Sequence, residues 1–345
     1  MNVIVDNRDA LLQYSNGWLE ISTQPAFADT TSSSVTLGDT ANFTFTVGAP
    51  GSSVIVFAAL GQLLDPPGNA SSMLFSIDGG TPREYTPPAT TGSSTTYHEP
   101  IWTSGPLAEE SHTVFITQKS TSRQINLDYF LYNTTSSTEG KTISIDDNDA
   151  SVQYFGYWSL QTNNDACFQH TVHLCASPGC LASLTFEGTS VTLQGPLAEG
   201  IVPNSYNVSV AIDGGPPTFI SKSANTTSIT YNNKLFFTSS PLPPGNHTII
   251  FTAQNAKPFY VDYFLVGNDP SSAGVASTAS GSSLSQSVPT STLPSRITKS
   301  TRIPATVGGI VGGLALLLVV LSVAFVLRRR FQRRRLHPPG RAFHS

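Results

Sequence analysis

The sequence predicts an all-β fold: two β-sandwiches in tandem, ahead of a structureless stalk and one apolar helix. Three observations predict it. Short runs of alternating apolar and polar residues, separated by turn-forming clusters, show the period-2 pattern of half-buried strands. A set of sequence landmarks recurs once, 135 to 140 residues further on. Near the end, the 25 residues Ile303 to Leu327 carry no formal charge and run into Arg328-Arg329-Arg330-Phe331-Gln332-Arg333-Arg334-Arg335.

The first copy opens with Val5-Asp6-Asn7-Arg8-Asp9-Ala10, then Gln13-Tyr14 and Trp18. The second opens with Ile145-Asp146-Asp147-Asn148-Asp149-Ala150, then Gln153-Tyr154 and Trp158. Strand-like runs follow: Phe43-Thr44-Phe45-Thr46-Val47, Val54-Ile55-Val56-Phe57 and Thr113-Val114-Phe115-Ile116, with Leu184-Thr185-Phe186 and Val208-Ser209-Val210-Ala211-Ile212 in the second copy. Alternation turns one set of side chains to a core and the other to solvent or a second sheet. Ser76-Ile77-Asp78-Gly79-Gly80-Thr81-Pro82 is answered by Ala211-Ile212-Asp213-Gly214-Gly215-Pro216-Pro217, and Asp-Gly-Gly supplies the positive-φ positions of a tight turn. Ser104-Gly105-Pro106-Leu107 and His112-Thr113-Val114-Phe115 match Ser239-Ser240-Pro241-Leu242 and His247-Thr248-Ile249-Ile250. Each copy closes on Leu127-Asp128-Tyr129-Phe130-Leu131 or Val261-Asp262-Tyr263-Phe264-Leu265. This is a duplication, dividing the chain into sandwich repeats at residues 1–135 and 140–268, each of ordinary domain size.

An early Asp-rich strand, a Tyr and a Trp, a strand ending in Ile-Asp-Gly-Gly, a Pro-Leu-x-x-Gly-x-His-Thr type turn and a final Asp-Tyr-Phe strand together resemble a galactose-binding-domain-like jelly roll. Non-catalytic carbohydrate-binding modules share that fold. The whole arrangement, over residues 1 to 327, is similar to single-span surface proteins of mushroom-forming fungi. The resemblance implies two tandem jelly-roll domains and offers glycans as a ligand class by fold analogy alone.

Residues 269–302 are Ser, Thr, Ala, Gly and Pro with almost no large apolar side chain, so they read as a disordered, extended stalk suited to O-glycosylation. At about 1.5 Å per residue, 303–327 is long enough to cross a hydrocarbon core of roughly 30 Å. The tail, 328–345, holds seven of the 18 Lys and Arg residues, and such an excess marks the cytoplasmic side of a span. These arginines would stop transfer and contact anionic membrane lipid. Gly308-Gly309-Ile310-Val311-Gly312-Gly313 contains two overlapping Gly-x-x-x-Gly pairs, a basis for a homodimer through the helix.

Six Asn-x-Ser/Thr sequons, at Asn42, Asn69, Asn133, Asn207, Asn225 and Asn246, all precede the span. The chain starts Met1-Asn2-Val3-Ile4-Val5-Asp6, which is not a secretory signal peptide. Taken literally, that start would make a tail-anchored protein with cytosolic domains. Sequons, stalk and arginine asymmetry instead predict a type I plasma-membrane glycoprotein whose N-terminal part is extracellular and whose leader is missing from this sequence.

Before the span, the remaining 11 basic residues face 22 acidic ones, a balance of about −11. Nucleic acid, which needs a basic footprint, is therefore excluded as a partner of this part. Asp6 and Asp9, with Asp146, Asp147 and Asp149 at the equivalent place, are oxygen ligands that suit a structural Ca²⁺, or else turn residues bonding nearby amides. No other cofactor is expected. Trp18, Tyr97 and Trp102, with Trp158 and Tyr231, could stack on sugar rings, alongside Tyr14 and Tyr154. Their recurrence in both copies favours a shared core. Cys167-Phe168-Gln169-His170-Thr171-Val172-His173-Leu174-Cys175, with Cys180, has zinc-like residues but lacks a second short-spaced ligand couple. Ala176-Ser177-Pro178-Gly179 reads as a hairpin loop that sets Cys175 opposite Cys180, the preferred disulfide, with Cys167–Cys180 second.

No Gly-x-Ser-x-Gly elbow, His-Glu-x-x-His or phosphate-binding loop is present. The predicted function is non-catalytic binding or adhesion at the cell surface, with glycans as the ligand class. The alternatives are a structural wall or membrane spacer without ligand, and a membrane-tethered enzyme acting on glycans through a carboxylate pair.

Overall fold

The structure, a computed structural model, describes residues 1–61, 71–88, 95–120, 125–135, 137–197, 205–223 and 231–269. The stalk, the apolar segment 303–327 and the basic tail lie outside the described residues. No helix among the described residues is long and apolar enough to cross a membrane.

The first repeat contains β1 (Asn2–Asp6), β2 (Leu12–Tyr14), β3 (Leu19–Ser22), β4 (Thr30–Ser33), β5 (Thr40–Thr46), β6 (Val54–Leu60), β7 (Met73–Ile77), β8 (Arg83–Tyr85), β9 (Thr96–Thr103), β10 (Ser111–Gln118) and β11 (Ile125–Asn133). The second contains β12 (Thr142–Asp146), β13 (Val152–Phe155), β14 (Trp158–Thr162), β15 (Thr171–Cys175), β16 (Leu181–Gly188), β17 (Ser190–Leu197), β18 (Ser205–Ile212), β19 (Thr218–Ser223), β20 (Tyr231–Thr238), β21 (Gly245–Ala253), β22 (Phe259–Val261) and β23 (Tyr263–Gly267). In each repeat four antiparallel strands face four others. β1-β11-β6-β9 packs on β5-β10-β7-β8, and β12-β23-β17-β20 on β16-β21-β18-β19. Chain order alternating between two sheets in this way is a jelly roll. β2 and β13 extend the second sheet of their repeats.

The Asp-Gly-Gly turns have the form the sequence predicts. Asp78 and Gly79 sit at φ 52° and 70°, Asp213 and Gly214 at 52° and 69°, which is the doubly positive backbone of a type I′ hairpin turn. Each turn is latched to the neighbouring strand. His112 Nδ1 lies 2.7 Å from Asp78 Oδ2, and the Thr113 amide donates to Asp78 Oδ1 at 2.7 Å. His247, Asp213 and Thr248 repeat the arrangement at 2.7 and 2.8 Å.

Each sandwich is filled by large apolar side chains, among them Phe43, Phe75 and Phe130 in one and Phe251, Phe259 and Phe264 in the other, all fully buried. Each such ring contributes about 1.5–3 kcal/mol by leaving water. The repeats are joined through a continuous sheet, because β1 pairs with β12 at Asn2↔Ser144 and Val3↔Ile143. Each repeat thereby covers the open edge that the other would expose.

A bulge in β11 at Asp128 shifts the register and turns Tyr129 and Leu131 to the far face, while Leu127 and Phe130 stay in the sandwich core. On that far face a second cluster forms from Ile4, Phe27, Phe57, Tyr129, Leu131, Phe168 and Tyr263, drawn from both repeats. Phe27 lies 5.4 Å from Tyr129 and 6.1 Å from Tyr263, and Phe168 lies 4.6 Å from Tyr263 and 5.5 Å from Tyr129. Lys234 Nζ on β20 reaches Asp29 Oδ2 of the first repeat at 2.9 Å.

Candidate functional site

Superposing the two copies in sequence isolates one corner where they differ in chemistry. The hairpin between β15 and β16 is closed by a Cys175–Cys180 disulfide, Cα to Cα 6.4 Å. At the equivalent positions of the first repeat, Ser34 Oγ instead donates to Asp39 Oδ2. The same corner is thus closed covalently in one copy and by a hydrogen bond in the other. Gly38 and Gly179 hold the shared turn at φ 85° and 84°.

Against this hairpin packs the turn joining β13 to β14, Tyr154-Phe155-Gly156-Tyr157-Trp158. Trp158 Nε1 donates to the carbonyls of Phe155 and Leu181, both at 3.1 Å. Gly156 has φ 97°, and a Cβ there would lie 3.2 Å from Cys180 Cα, so the turn is seated directly on the disulfide. Tyr154 Oη donates to the Asp147 carbonyl at 2.9 Å. These ties hold Phe155 and Tyr157 outward, 57% and 87% exposed. Their counterparts in the first repeat are Ser15 and Gly17. Ser15 Oγ donates to Asp39 Oδ1 at 2.8 Å, and a Cβ on Gly17 would come within 1.8 Å of the Asp39 carboxylate. The first repeat therefore has no room for a side chain where the second carries Tyr157.

From Gln153 to Phe186 the sole formally charged residue at neutral pH is Asp165. The turn is flanked by Ser159, Gln161, Thr162 and Ser177, so two exposed aromatic rings stand in a neutral, hydroxyl- and amide-rich stretch. Such a stretch matches ligands that carry apolar C–H faces together with hydroxyl groups.

Of the aromatic residues singled out by sequence, Trp18 and Trp158 each pack beside the Tyr of their own copy, and Trp102 packs on Phe75. Trp18, Trp102 and Trp158 are each half-buried against the sandwich core. Trp18 lies 5.2 Å from Tyr14, Trp102 stacks on Phe75 at 5.4 Å, and Trp158 lies 4.9 Å from Tyr154 and 5.8 Å from Phe259. Tyr97 shares a hydrogen bond with Thr23 Oγ1 at 3.2 Å. Tyr231 pairs through its backbone with Leu197, and its side chain is outside the described residues. Phe155 and Tyr157 have no aromatic counterpart in the first copy, so recurrence does not single them out. The signal available was that difference itself, Tyr14-Ser15-Asn16-Gly17-Trp18 against Tyr154-Phe155-Gly156-Tyr157-Trp158.

The acidic clusters cap turns. Asp6 Oδ1 accepts from the Arg8 amide and Nε, each at 2.9 Å, and Asp9 Oδ1 from the Leu11 amide at 2.9 Å. Asp146 Oδ1 accepts from the Asn148 amide at 2.9 Å, and Asp149 Oδ1 from the Ser151 amide at 2.8 Å. Burial and the neighbouring Asp147 push the Asp146 carboxyl up to about 7. Asp147 pairs with His173 Nδ1 at 2.5 Å and accepts from Thr171 Oγ1 at 2.6 Å. Among the described residues no group of three or more His, Cys, Asp and Glu side chains is placed to hold a metal ion. The zinc-like run is divided: His173 serves Asp147, Cys175 and Cys180 bond to each other, and Cys167 is a buried free thiol.

Of the sequons, Asn42, Asn133, Asn207 and Asn246 lie on strands and none of them is buried, while Asn69 and Asn225 are outside the described residues.

No known protein family matches the chain. No curated protein matches it either. Among solved structures it is similar to a family 35 carbohydrate-binding module from Clostridium thermocellum, at 14% identity and a TM-score of 0.31, over 38% of this chain and 98% of that one. It is also similar to a family 6 module of a Cellvibrio mixtus lichenase in complex with cellotriose, at 21% identity and a TM-score of 0.29, over 39% of this chain and 97% of that one. A Paenibacillus xanthan lyase matches at 15% identity and a TM-score of 0.30 over 74% of this chain, which spans 25% of the lyase. The jelly-roll description rests on the strand pairings themselves.

Proposed function

We propose that this chain is a non-catalytic glycan-binding protein of the cell surface, with the second repeat as the binding module. The observation that carries this reading is the Phe155–Tyr157 turn: two outward aromatic rings held by a disulfide and by Trp158, in a stretch of chain with few charged residues. Covering roughly 100 Å² of each ring at about 25 cal/mol/Å² gives on the order of 5 kcal/mol before ordering costs. That corresponds to affinities near a millimolar, typical of a contact that gains strength by multiplicity.

In this reading the stalk carries the sandwiches outward, residues 303–327 cross the plasma membrane, and the basic tail lies inside against anionic lipid. The sequons and the arginine asymmetry support that topology. Treatment of the native protein with an N-glycosidase lowers its mass if the repeats are extracellular; an unchanged mass favours the tail-anchored arrangement. Display of the full-length protein on a glycan array tests the ligand. Retention on neutral polysaccharides is the expected result, and retention on none of them leaves the spacer reading in its place.

A further inference from the structure

Two exposed phenylalanines stand on the second sheets of the sandwiches, one in each repeat. In β10, Val114 and Ile116 are buried in the core, so Phe115 between them points outward, and it is 42% exposed. In β19, Phe219 is 63% exposed. A lone exposed ring needs no explanation, but these two share a neighbour of one kind. Phe115 is paired directly with Asn42 of β5. Phe219 is paired with Ser209 of β18. Because Val208 and Val210 are buried, Ser209 and Asn207 share the outer face with Phe219. Asn42-Phe43-Thr44 and Asn207-Val208-Ser209 are both sequons. Residues directly opposite in an antiparallel pair have Cβ atoms about 4.5–5.5 Å apart, and diagonal ones about 7–8 Å. The first sugar on either Asn therefore reaches its ring.

The duplication supplies an internal comparison, because ring and sequon are present or absent together. At the places of Asn42 and Phe115, the second repeat pairs Ser183 with Ile250. At the places of Asn207 and Phe219, the first repeat has Ser72 and Glu84, and Glu84 is bonded to Lys119. The other two sequons on described strands differ: Asn133 pairs with Asn2, to which its Nδ2 also donates, and Asn246 pairs with Glu187. Around the first pair the surface is uncharged and polar. Gln13 flanks Asn42, Ser76 flanks Phe115, and Thr44 and Thr113 share a hydrogen bond at 2.9 Å. A pyranose laid there covers the ring with its C–H face and meets amide and hydroxyl groups at its edge.

We infer that, given the extracellular topology proposed above, Asn42 and Asn207 carry N-linked glycans whose first N-acetylhexosamine packs on Phe115 and on Phe219, each glycan covering the outer face of its own repeat. In the transfer, Asn Nδ2 loses a proton and bonds to C1 of the sugar. The bond from C1 to the phosphate of a lipid-linked oligosaccharide donor breaks, and the lipid pyrophosphate leaves. Neither pair includes a residue of the Phe155–Tyr157 turn.

Glycopeptide mass mapping of the full-length native protein reads occupancy, and urea unfolding in double-mutant cycles reads the contact. Asn42 and Asn207 are expected to be occupied. Asn42→Gln should raise the unfolding equilibrium constant about fivefold in the parent and by less than about twofold in Phe115→Thr. Asn207→Gln should behave in the same way toward Phe219→Thr. Asn246→Gln, whose Asn pairs with Glu187, should have the same effect with or without either Phe. None of the substituted side chains is buried, so the variants fold. Asn42 and Asn207 empty beside an occupied Asn133 or Asn246 overturns the inference and leaves the topology standing. No glycan on any sequon overturns both. Occupied sites whose loss costs as much without the phenylalanines as with them overturn the packing.

Discussion

Asp128 Oδ1 accepts a hydrogen bond from the backbone amide of Phe27 at 3.0 Å, and Asp262 does the same for Phe168 at 3.0 Å. Both carboxyls are fully buried, and burial pushes both well above the usual carboxylate range. Each ties a closing strand to the single-turn segment, Phe27–Asp29 or Phe168–His170, that carries a ring across to the other repeat.

A tether of this kind needs the oxygen and not the charge. Asp128→Asn should therefore fold as well as the parent at acid pH, while Asp128→Ala strands the Phe27 amide at a cost of about 1–3 kcal/mol. The pH dependence has a definite sign. A carboxyl whose folded pKa is raised holds its proton longer folded than unfolded, so stability falls as pH rises from the unfolded value toward the folded one. Urea unfolding at pH 5 and pH 8 should show this loss in the parent and a smaller one in Asp128→Asn. An equal loss in both would remove Asp128 as its source.

The two repeats should unfold together. Phe168→Ala deletes a ring buried between Tyr129 of one repeat and Tyr263 of the other, and such truncations cost about 3–5 kcal/mol. Calorimetry should give one transition for the folded region, moved as a whole by this substitution. Two separate transitions, with only one moved, would contradict the shared sheet and cluster.

The Asp–His latches add a second pH signature. Burial alone would lower His112 and His247, but hydrogen bonds to Asp78 and Asp213 and to the Ala108 and Pro243 carbonyls raise them above 6.5. Their contribution is fully present below 6.5 and is lost as pH rises through the raised value. Asp78 and Asp213 are lowered, so their part is present above 3.8 and lost as pH falls through the lowered value. His112→Gln should thus lower the melting temperature most between about pH 4 and 6.5 and least at pH 9. A deficit that does not vary with pH would mean that the ring serves only by packing.

The disulfide should matter to binding more than to folding. Its loop is short, five residues in separation, so closing it constrains the unfolded chain by only about 2 kcal/mol. Cys175→Ser with Cys180→Ser should leave the protein folded, loosen the seat of Gly156 and weaken polysaccharide retention several-fold. Unchanged retention would show that Trp158 alone positions the turn.

Much of the fold is legible in the sequence because its determinants are local. Alternation in Phe43–Val47, the Asp78-Gly79 turn and the Ala176–Gly179 hairpin that pairs Cys175 with Cys180 each announce themselves within a few residues. The union of the repeats is not local. Nothing in Asn2-Val3 signals pairing with Ile143-Ser144, and the register shift that sends Tyr129 to the far face depends on a bulge at Asp128. Phe27 and Phe168 carry no local signal of the contacts that the opposite repeat supplies. Aromatic recurrence points to Trp18 and Trp158, half-buried on the core, whereas the exposed rings are those that do not recur.

Binding of the full-length protein to a neutral polysaccharide, compared with that of Phe155→Ala/Tyr157→Ala, tests the central claim most directly. The account predicts at least a tenfold loss of affinity with an unchanged melting temperature, since both side chains are exposed. Equal affinity in the two proteins would contradict it.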